Sequence, residues 1–387
     1  MITTFVLMAI VGVQADDVST KFIASGATRK VGGYRPLRAK MDGKAESVEK
    51  APEGLTMAKY GALKLGNKSW GFILDEPEGK PATLFIDADG DGDFTNDPET
   101  FWAAKTNGGL TMYQGKSQVD LGAGKLGTIN LYRFDPTDPR RAHLKNTMMF
   151  YIDYGYEISL DLDGKTFTTF VAGELQPNSN LWIDRDANRK RSHKRETVYV
   201  GKPFNFTGTT YVLALVDGEA KLEQAPTPQP LAPLPPDLAI GKKAIEFKMV
   251  ATDGTEIEFP KSYAGKIVML DFWATWCGPC IAELPNVTKA YETWHDKGFD
   301  ILGISFDNKG MAERLTAFTK EHAMPWRHLY EGKAWNTTLG ELYDVSGIPF
   351  VLLVDGDTGE ILATAKELRG PGLTEFIEKA LAKKQSG

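Results

Sequence analysis

A cluster of prolines is the feature that most restricts which secondary structures this chain can form. Six prolines fall within the twelve residues of APTPQPLAPLPP, from Ala225 to Pro236. Each proline lacks a backbone N–H and fixes φ, so this segment can form neither a helix nor a central strand. Such sequences favour an extended polyproline conformation that acts as a semi-rigid spacer. We therefore predict a linker at 225–236 between a first domain, 16–224, and a second domain, 237–387.

The bulk composition agrees with two globular domains. A length of 387 residues suits two domains, and 42% hydrophobic residues supply enough apolar material for two cores. The formal net charge of −6 argues against a nucleic-acid-binding protein, which needs a large basic surface. No nucleic-acid partner is therefore predicted.

The first residues predict export from the cytoplasm. An apolar run from Phe5 to Val13 is followed by Gln14-Ala15, which resembles the hydrophobic region and small residue of a secretory signal. We predict a signal peptide at 1–15, with a buried first strand as the alternative. The run is too short to span a bilayer, which takes about 20 apolar residues, and no other stretch approaches that length. No transmembrane segment is predicted.

The first domain has the pattern of a mainly-β structure. Short apolar or alternating runs are separated by glycine-containing turns, and long helical periods are few. Three hairpins are predicted, over residues 63–74, 158–171 and 204–213. This pattern favours a sandwich or a barrel, and the sequence does not decide between them. We find no catalytic constellation in this domain.

The second domain alternates strands and helices. The run KIVMLDFW at 266–273 is almost continuously apolar, which is typical of a strand buried on both faces. Apolar residues at helical spacing follow at 279–297, and a second buried strand is predicted at 299–306. A second helix is predicted at 309–322. The predicted order is ββ-β-α-β-α-α-β-β-α, an α/β fold.

The chain has only two cysteines, Cys277 and Cys280, and they form one C-x-x-C motif. A scaffold held by disulfides would carry more of them, and a structural zinc site usually takes four Cys or His ligands. The five histidines are scattered and show no metal-ligand spacing. These observations leave redox chemistry, or chance, as the reason for the pair.

The predicted elements place Cys277 at the start of a helix, directly after a buried strand. Free N–H groups and the helix dipole favour an anion there, and such positions lower a thiol pKa from about 8.5 toward 7 or below. Cys280 lies one turn into the helix, so we expect it to be the more buried cysteine. We therefore predict that Cys277 attacks a partner disulfide and that Cys280 resolves the mixed disulfide.

Residues 240–383 resemble the thioredoxin superfamily, and within it the TlpA/ResA-like thiol–disulfide oxidoreductases that bacteria export. The resemblance rests on DFWATWCGPC at 271–280, on Glu283 and on Gly347-Ile348-Pro349. It implies a thioredoxin fold and a protein-disulfide oxidoreductase in the periplasm or another extracytoplasmic compartment. It also implies protein disulfide or dithiol substrates, a membrane electron donor, and no cofactor beyond the cysteine pair.

The resemblance also implies roles for individual residues. Asp271 matches the carboxylate that lies beneath the active site of thioredoxins, and an Asp in so apolar a strand is costly without a purpose. Glu283 matches a glutamate of ResA-like proteins, with a surface charge as the alternative. Either carboxylate is a candidate proton relay. Pro349 is expected to be cis and to pack against the motif, and Trp276 to form a contact surface.

The direction of electron flow and the class of activity leave alternatives. The dipeptide Gly278-Pro279 is that of reducing thioredoxins, which have potentials near −270 mV, and it favours a reductant. One alternative is a thiol peroxidase of the peroxiredoxin group, which has P-x-x-x-[TS]-x-x-C; here Thr275 is two residues before Cys277 and no proline fits. Another alternative is a binding module in the β-rich domain, with an accessory redox domain.

An acidic segment in the first domain resembles the beginning of an EF-hand calcium loop. Asp87, Asp89 and Asp91 occupy its first ligand positions, a glycine follows at position 6, and Asp93 comes next. The match fails at position 12, which is Pro98 rather than Glu. Asp97 or Glu99 is the candidate replacement. The two interpretations are therefore a calcium site and a solvated acidic turn.

Overall fold

The computed structural model describes residues 17–41, 48–365 and 367–386, so the predicted signal peptide at 1–15 lies outside them. The contacts divide the chain into two compact units. The first contains the residues up to Arg189 together with Thr197–Ala232. The second contains Lys190–Glu196 together with the residues from Pro233 onward.

In its described residues, the first unit consists of antiparallel strands, one short α-helix, α1 (Ala27–Val31), and a 3-10 helix at Pro139–Leu144. Its sheets have the orders β2-β9-β8-β7-β6, β1-β10-β11, β3-β4-β5, β14-β15-β16 and β12-β13. The predicted β-rich character is confirmed, whereas sandwich or barrel remains a prediction. The strands are β1 Asp17–Ile23, β2 Leu37–Lys40, β3 Ala58–Leu65, β4 Lys68–Asp75, β5 Thr83–Ile86, β6 Phe101–Asn107, β7 Leu110–Asp120, β8 Leu126–Phe134, β9 Thr147–Ile152, β10 Gly155–Leu162, β11 Lys165–Ala172, β12 Asn180–Trp182, β13 Thr197–Tyr199, β14 Pro203–Phe204, β15 Tyr211–Val216 and β16 Glu219–Gln224.

The three predicted hairpins are present. β3 pairs with β4, β10 with β11 and β14 with β15, all antiparallel. The turn between β10 and β11 is the two-residue Asp163-Gly164, and both residues have positive φ, 48° and 77°. Such a turn matches the twist of the strands on either side, and Asp and Gly are among the residues that adopt it most readily.

The proline-rich segment contains neither helix nor strand, as its prolines require. Its first eight residues are nevertheless bound to the first unit. The Ala225 N–H donates to the Thr210 carbonyl (2.8 Å) and the Ala232 N–H to the Asn205 carbonyl (2.9 Å). The Asn205 side-chain amide also donates to the carbonyl of Gln229 at 2.9 Å. This part of the segment is therefore held in place rather than spanning free space.

The second unit has a five-stranded sheet of order β21-β20-β19-β22-β23 beside a separate hairpin, β17-β18. β19, β20 and β21 are parallel to one another, β22 pairs antiparallel with β19, and β23 pairs antiparallel with β22. With helices between the strands, this is the α/β thioredoxin fold that the sequence predicts. The elements are β17 Phe247–Val250, β18 Glu256–Phe259, β19 Ile267–Trp273, α2 Gly278–Trp294, β20 Phe299–Ser305, α3 Ala312–Glu321, β21 Arg327–Tyr330, α4 Thr338–Leu342, β22 Phe350–Asp355, β23 Ile361–Thr364 and α5 Leu373–Ser386.

One predicted connection in this unit is wrong. The sequence predicts two successive helices between β20 and β22, but the strand β21 lies between α3 and α4 and pairs parallel to β20. β21 is only four residues long, RHLY, and contains one arginine and one histidine. It is therefore too short and too polar to produce a strand pattern by itself.

β19 is the central strand of this sheet, and all seven of its residues are buried. It pairs with β20 on one side and β22 on the other, so that Asp271 lies between Gly303 and Val351. Because the strand is fixed on both sides, the segment that follows it has a well-defined starting position. Across the described parts of the chain, no helix is both long enough and apolar enough to cross a membrane.

Candidate active site

A tight turn joins the end of β19 to the start of α2. The Cys277 N–H donates to the Ala274 carbonyl at 3.1 Å, and α2 begins at the next residue, Gly278. Cys277 is the N-cap, and its sulfur accepts the Cys280 N–H at 3.2 Å. Pro279 lies in the first turn, where its missing N–H has no helical partner to lose. The Cys277 sulfur therefore lies at the positive end of the helix, as the sequence predicts.

Cys277 and Cys280 form a disulfide. Their exposed fractions are 4% and 5%, so the expectation that Cys280 is the more buried cysteine is wrong for this oxidised state. The two sulfurs are bonded to each other and are therefore shielded together. What distinguishes them is position: Cys277 caps the helix, whereas Cys280 lines an internal cavity.

Asp271 lines the same internal cavity as Cys280. The cavity has a volume of about 20 Å³, and its lining includes Asp271, Cys280, Glu283, Pro349 and Arg369. This volume is enough for about one water molecule. Burial raises the pKa of Asp271 to about 7, and the opposing effect of the Arg369 guanidinium is smaller. The pKa of Asp271 therefore lies near neutral pH, in a cavity that Cys280 also lines.

Glu283 lines the same cavity but is engaged by neighbouring groups. Its Oε2 accepts the Gly370 N–H at 2.9 Å and the Asn286 side-chain amide at 3.2 Å. A solvated surface charge, the alternative from the sequence, does not describe this side chain. Glu283 instead connects α2 to the loop that precedes α5.

The Ile348–Pro349 peptide bond is cis, as the resemblance implies. Pro349 lines the cavity together with Cys280, and its carbonyl oxygen accepts a hydrogen bond from Arg369. Arg369 was not identified in the sequence, since an isolated arginine in a loop carries no pattern. Only the fold brings it to the proline and to Asp271.

A second buried carboxylate, Asp307, was also missed. Asp307 is fully buried and directly follows Phe306, at the end of the β20 segment. It accepts hydrogen bonds from the Thr275 hydroxyl (2.6 Å), the Thr275 N–H (3.2 Å) and the Ser305 hydroxyl (2.8 Å). It thereby fixes the turn that leads to Cys277. An Asp within an apolar run is the signal that indicated Asp271, and Asp307 directly follows another such run, so a similar signal could have identified it.

Trp276, by contrast, is exposed beside the disulfide, with an exposed fraction of 46%. Its ring lies next to that of Trp335, with centroids 6.0 Å apart, and Trp335 is 38% exposed. Trp273 is buried in the core. The sequence indicates Trp276 as a contact residue, but Trp335 is 59 positions further along the chain, and no motif there connects it with the cysteines.

The basic segment Lys190–Glu196 belongs to the second unit, and two of its side chains bind groups of that unit. The Lys194 ammonium donates to the Trp335 carbonyl (2.9 Å) and to the Glu341 carboxylate (2.7 Å). The Arg195 guanidinium donates to the carbonyls of Glu341 (2.6 Å) and Leu342 (3.0 Å). These bonds hold the turn that carries Trp335.

The acidic loop of the first unit gathers three of its four predicted ligands. Carboxylate oxygens of Asp87, Asp89 and Asp91 all lie within 4.8 Å of one another. Asp93 is not part of this group, because it pairs with Lys50 (3.1 Å) and accepts the Thr95 N–H (2.9 Å). The structure thus brings together three of the four predicted aspartates, and their binding of a metal stays a prediction.

Asp97 lies close to the same three carboxylates. Its Oδ1 accepts the Ala88 N–H at 2.9 Å, whereas its Oδ2 is buried without a hydrogen-bond partner among the described residues. Burial, and after it the charges of Asp89, Asp87 and Asp91, raises the pKa of Asp97. Carboxylate oxygens in this arrangement are the ligands that calcium prefers.

Comparison with known proteins identifies relatives of the second unit. A family model described as AhpC/TSA family matches residues 240–364. Over 148 residues the chain is 30% identical to the thiol-disulfide oxidoreductase ResA of Bacillus thuringiensis subsp. konkukian, a match that covers 38% of this chain and 79% of that protein. It is 33% identical over 111 residues to a tryparedoxin of Trypanosoma brucei brucei, covering 28% of this chain and 74% of the relative.

A solved structure with a similar sequence is the thioredoxin domain of a thiol-disulfide oxidoreductase from Bacteroides vulgatus. It is 31% identical, covers 37% of this chain and 98% of its own, and has a TM-score of 0.33. The relatives matched in sequence include thiol-disulfide oxidoreductases, and the second unit of this chain has a disulfide at the start of a helix, as such chemistry requires. The chain belongs to the family of ResA-like thiol–disulfide oxidoreductases.

Proposed function

We propose that this protein reduces disulfides of polypeptide partners outside the cytoplasm through the Cys277–Cys280 dithiol. The observation that carries the proposal is the position of the pair at the start of α2, with a buried carboxylate of pKa about 7 sharing a cavity with Cys280. The helix N-terminus favours the Cys277 thiolate, and the buried carboxylate can accept the proton of Cys280.

The reaction begins with the reduced protein. The Cys277 thiolate attacks one sulfur of the partner disulfide, a new S–S bond forms, and the other partner sulfur leaves as a thiolate. Asp271 then takes the proton of Cys280, either directly or through a water molecule in the cavity. The Cys280 thiolate attacks the Cys277 sulfur and releases the second partner sulfur, so that two electrons pass to the partner and the protein disulfide is restored.

Glu283 and Pro349 support this reaction from the walls of the cavity. We propose that Glu283 holds the loop at Gly370 and thereby keeps the cavity narrow, while Asp271 is the proton acceptor. Pro349 packs beside Cys280, and the adjoining Ile348 backbone can pair with an extended partner chain. Trp276 contacts the partner directly, because it precedes the attacking cysteine and is exposed.

The proposed direction is reduction of the partner, since Gly278-Pro279 is the dipeptide of reducing thioredoxins. Each cycle leaves the protein oxidised, so a dithiol donor is required to return two electrons to it. We propose a membrane-associated donor, together with export of the chain by the apolar segment Phe5–Val13. Cell fractionation checks the location, and recovery of the mature protein in the cytoplasm would contradict it.

Two variants test the chemistry. Cys277→Ser removes the attacking thiolate and should abolish reduction of insulin disulfides. Cys280→Ala keeps the attack but removes the resolving thiol, so it should accumulate a mixed disulfide that mass spectrometry of trapped adducts identifies. Unchanged insulin reduction by Cys277→Ser would refute the proposed function.

The thiol peroxidase alternative is tested with the same variants. Peroxide consumption by the wild type that Cys277→Ser abolishes would favour the peroxidase. We expect none above background, because Thr275 donates its hydroxyl to Asp307, and its spacing from Cys277 is not that of the peroxidase motif.

A second proposal concerns the first unit: Asp87, Asp89, Asp91 and Asp97 bind a calcium ion. It rests on the three clustered carboxylates and on the buried Asp97 oxygen that lacks a hydrogen-bond partner among the described residues. Calcium there would offset the repulsion among the carboxylates. Isothermal calorimetry should detect one calcium per chain, lost in Asp87→Asn but retained in Asp93→Asn. Equal binding by both variants would contradict this ligand set.

A further inference from the structure

Two tryptophans form an exposed apolar surface beside the disulfide. Large apolar side chains are seldom left exposed in groups without a reason, and such groups often mark a binding site. In residues 237–386, as far as they are described, the large apolar side chains that are clearly exposed are Ile240, Val250, Trp276 and Trp335. The two tryptophans are in contact with each other, with ring centroids 6.0 Å apart and planes at 56°. We call this pair the tryptophan platform.

Packing and backbone hydrogen bonds fix the position of Trp335 in the platform. The Trp335 ring packs edge-on against Phe306, with centroids 5.3 Å apart, and Phe306 is fully buried. The preceding Ala334 donates its N–H to the Asp307 carbonyl at 3.3 Å, and the Trp335 carbonyl accepts a hydrogen bond from Lys194. The backbone of Trp335 is therefore fixed on both sides.

The same residue, Asp307, fixes both tryptophans. Its carboxylate accepts the hydroxyl and the N–H of Thr275, the residue before Trp276. Its backbone carbonyl holds Ala334, the residue before Trp335. A surface that is already ordered loses little conformational entropy when a partner binds, and rigid aromatic residues are efficient contacts for that reason.

The chemistry of the site determines what lies on this platform. A partner sulfur has to come within bonding distance of the Cys277 sulfur, about 2.0 Å, before disulfide exchange can occur. Cys277 is almost completely buried, so the approach is restricted to the surface next to it, and Trp276 is part of that surface. A polypeptide partner brings the residues next to its cysteine onto the same surface, whereas a small disulfide has none to bring.

We propose that Trp335 is a specificity-determining residue of this enzyme: together with Trp276 it binds an apolar side chain next to the reacting cysteine of a polypeptide partner. The proposal rests on the proposed function and names its substrate class more closely. Tryptophan is one of the residue types enriched among side chains that dominate binding energy at interfaces. Truncation of Trp335 should therefore weaken the partner's binding and leave the sulfur chemistry unchanged.

The test uses the full-length protein, reduced beforehand, in single-turnover reactions. Two peptides of equal length, one with leucine and one with serine beside the cysteine, are each supplied as the mixed disulfide with cysteamine. Cystamine serves as the small disulfide. The released thiols are measured by chromatography for the wild type, Trp335→Ala, Trp335→Phe and the matched control Val250→Ala, which truncates an exposed apolar residue on the hairpin β17-β18.

We expect Trp335→Ala to slow the leucine peptide about tenfold, the effect typical of an important interface residue, through weaker binding rather than a slower bound reaction. Trp335→Phe should recover most of the rate, and Val250→Ala should match the wild type. The serine peptide and cystamine should change less than twofold, and the cystamine rate should keep its pH profile.

Three results would overturn the inference. The first is an unchanged leucine-peptide rate in Trp335→Ala, and the second is an equal loss with cystamine, which would mean a disturbed Cys277. The third is a lower molecular mass for Trp335→Ala than for the wild type in sedimentation. That result would mean that a second copy of this chain covers the platform in the wild type. If the wild type itself reduces none of the three disulfides, the proposed function fails instead.

Discussion

Two buried titratable residues, Asp271 and His328, have opposite effects on how the stability of the second unit depends on pH. Burial raises the pKa of Asp271 to about 7 and lowers that of His328 to about 4. Folded Asp271 holds its proton where the unfolded chain has lost it, so its contribution to stability falls as pH rises from about 4 to 7. For His328 the unfolded chain binds the extra proton, so stability falls as pH drops from about 6.5 to 4.

Asp271→Asn should therefore stabilise the second unit at pH 8, by up to about 4 kcal/mol, and have little effect at pH 4. The same variant should slow resolution of the mixed disulfide about a hundredfold, because a general base contributes that much or more. Thermal unfolding at both pH values and rapid-mixing kinetics measure the two effects. An equal gain in stability at pH 4 and pH 8 would show that the carboxylate charge is not the cause.

His328→Leu should have the opposite pH dependence. His328 lies between the rings of Trp273 and Trp326, with centroids at 5.5 and 6.0 Å, and it is buried. Without its ionisation, the contribution of His328 to this dependence, a loss of about 3 kcal/mol between pH 6.5 and 4, should disappear. Urea unfolding at several pH values measures the difference between variant and wild type. A constant difference across this range would contradict the lowered histidine pKa.

At the scale of elements, the segment Lys190–Glu196 shows how the fold recruits a distant piece of chain. It lies about forty residues before the rest of the second unit, yet its contacts are with the region of α4. Its sequence, KRSHKRE, is typical of a solvated loop. The charges of Lys194 and Arg195 are instead satisfied by the Glu341 carboxylate and by backbone carbonyls of α4, Trp335 and Leu234.

Arg195→Ala should destabilise the second unit by about 1–3 kcal/mol, since it leaves carbonyl groups without their charged donor. The guanidinium also lies 4.0 Å from Asp344, whose pKa is raised by burial. Thermal unfolding measures this effect, because for a unit of this size each kcal/mol of unfolding free energy corresponds to a shift in melting temperature of about 2–4 °C. Arg314→Ala on the exposed face of α3 is the matched control. Equal melting temperatures for both variants would argue against a structural role of the segment.

The elements themselves were predicted where the hydrophobic period was strong. β19 is continuously apolar because both of its faces are covered, and α2 has a clear apolar stripe, so both were found within a few residues of their bounds. β21 was missed, since a short edge strand takes its structure from pairing with β20 rather than from its own residues.

At the scale of the whole molecule, the two units have separate hydrophobic cores. One core contains residues from 244 to 381, and the others lie between residues 39 and 213. Calorimetry of the full chain should therefore show at least two unfolding transitions. Asp271→Asn should shift only one of them and calcium only the other, because a ligand stabilises the unit that binds it. A single transition that responds to both changes would contradict independent unfolding.

The sequence by itself determined the chemistry of this protein and the type of both units. Local patterns carry that information: a buried strand, a C-x-x-C at a helix start, and alternating runs separated by turns. The tertiary structure alone decided which groups meet at the site. Arg369, Asp307, Trp335 and Lys194 are far from Cys277 in sequence, and only strand pairing and loop packing bring them to the site or to the residues beside it. Local residues can predict an element, but a contact between distant residues exists only after the elements have packed.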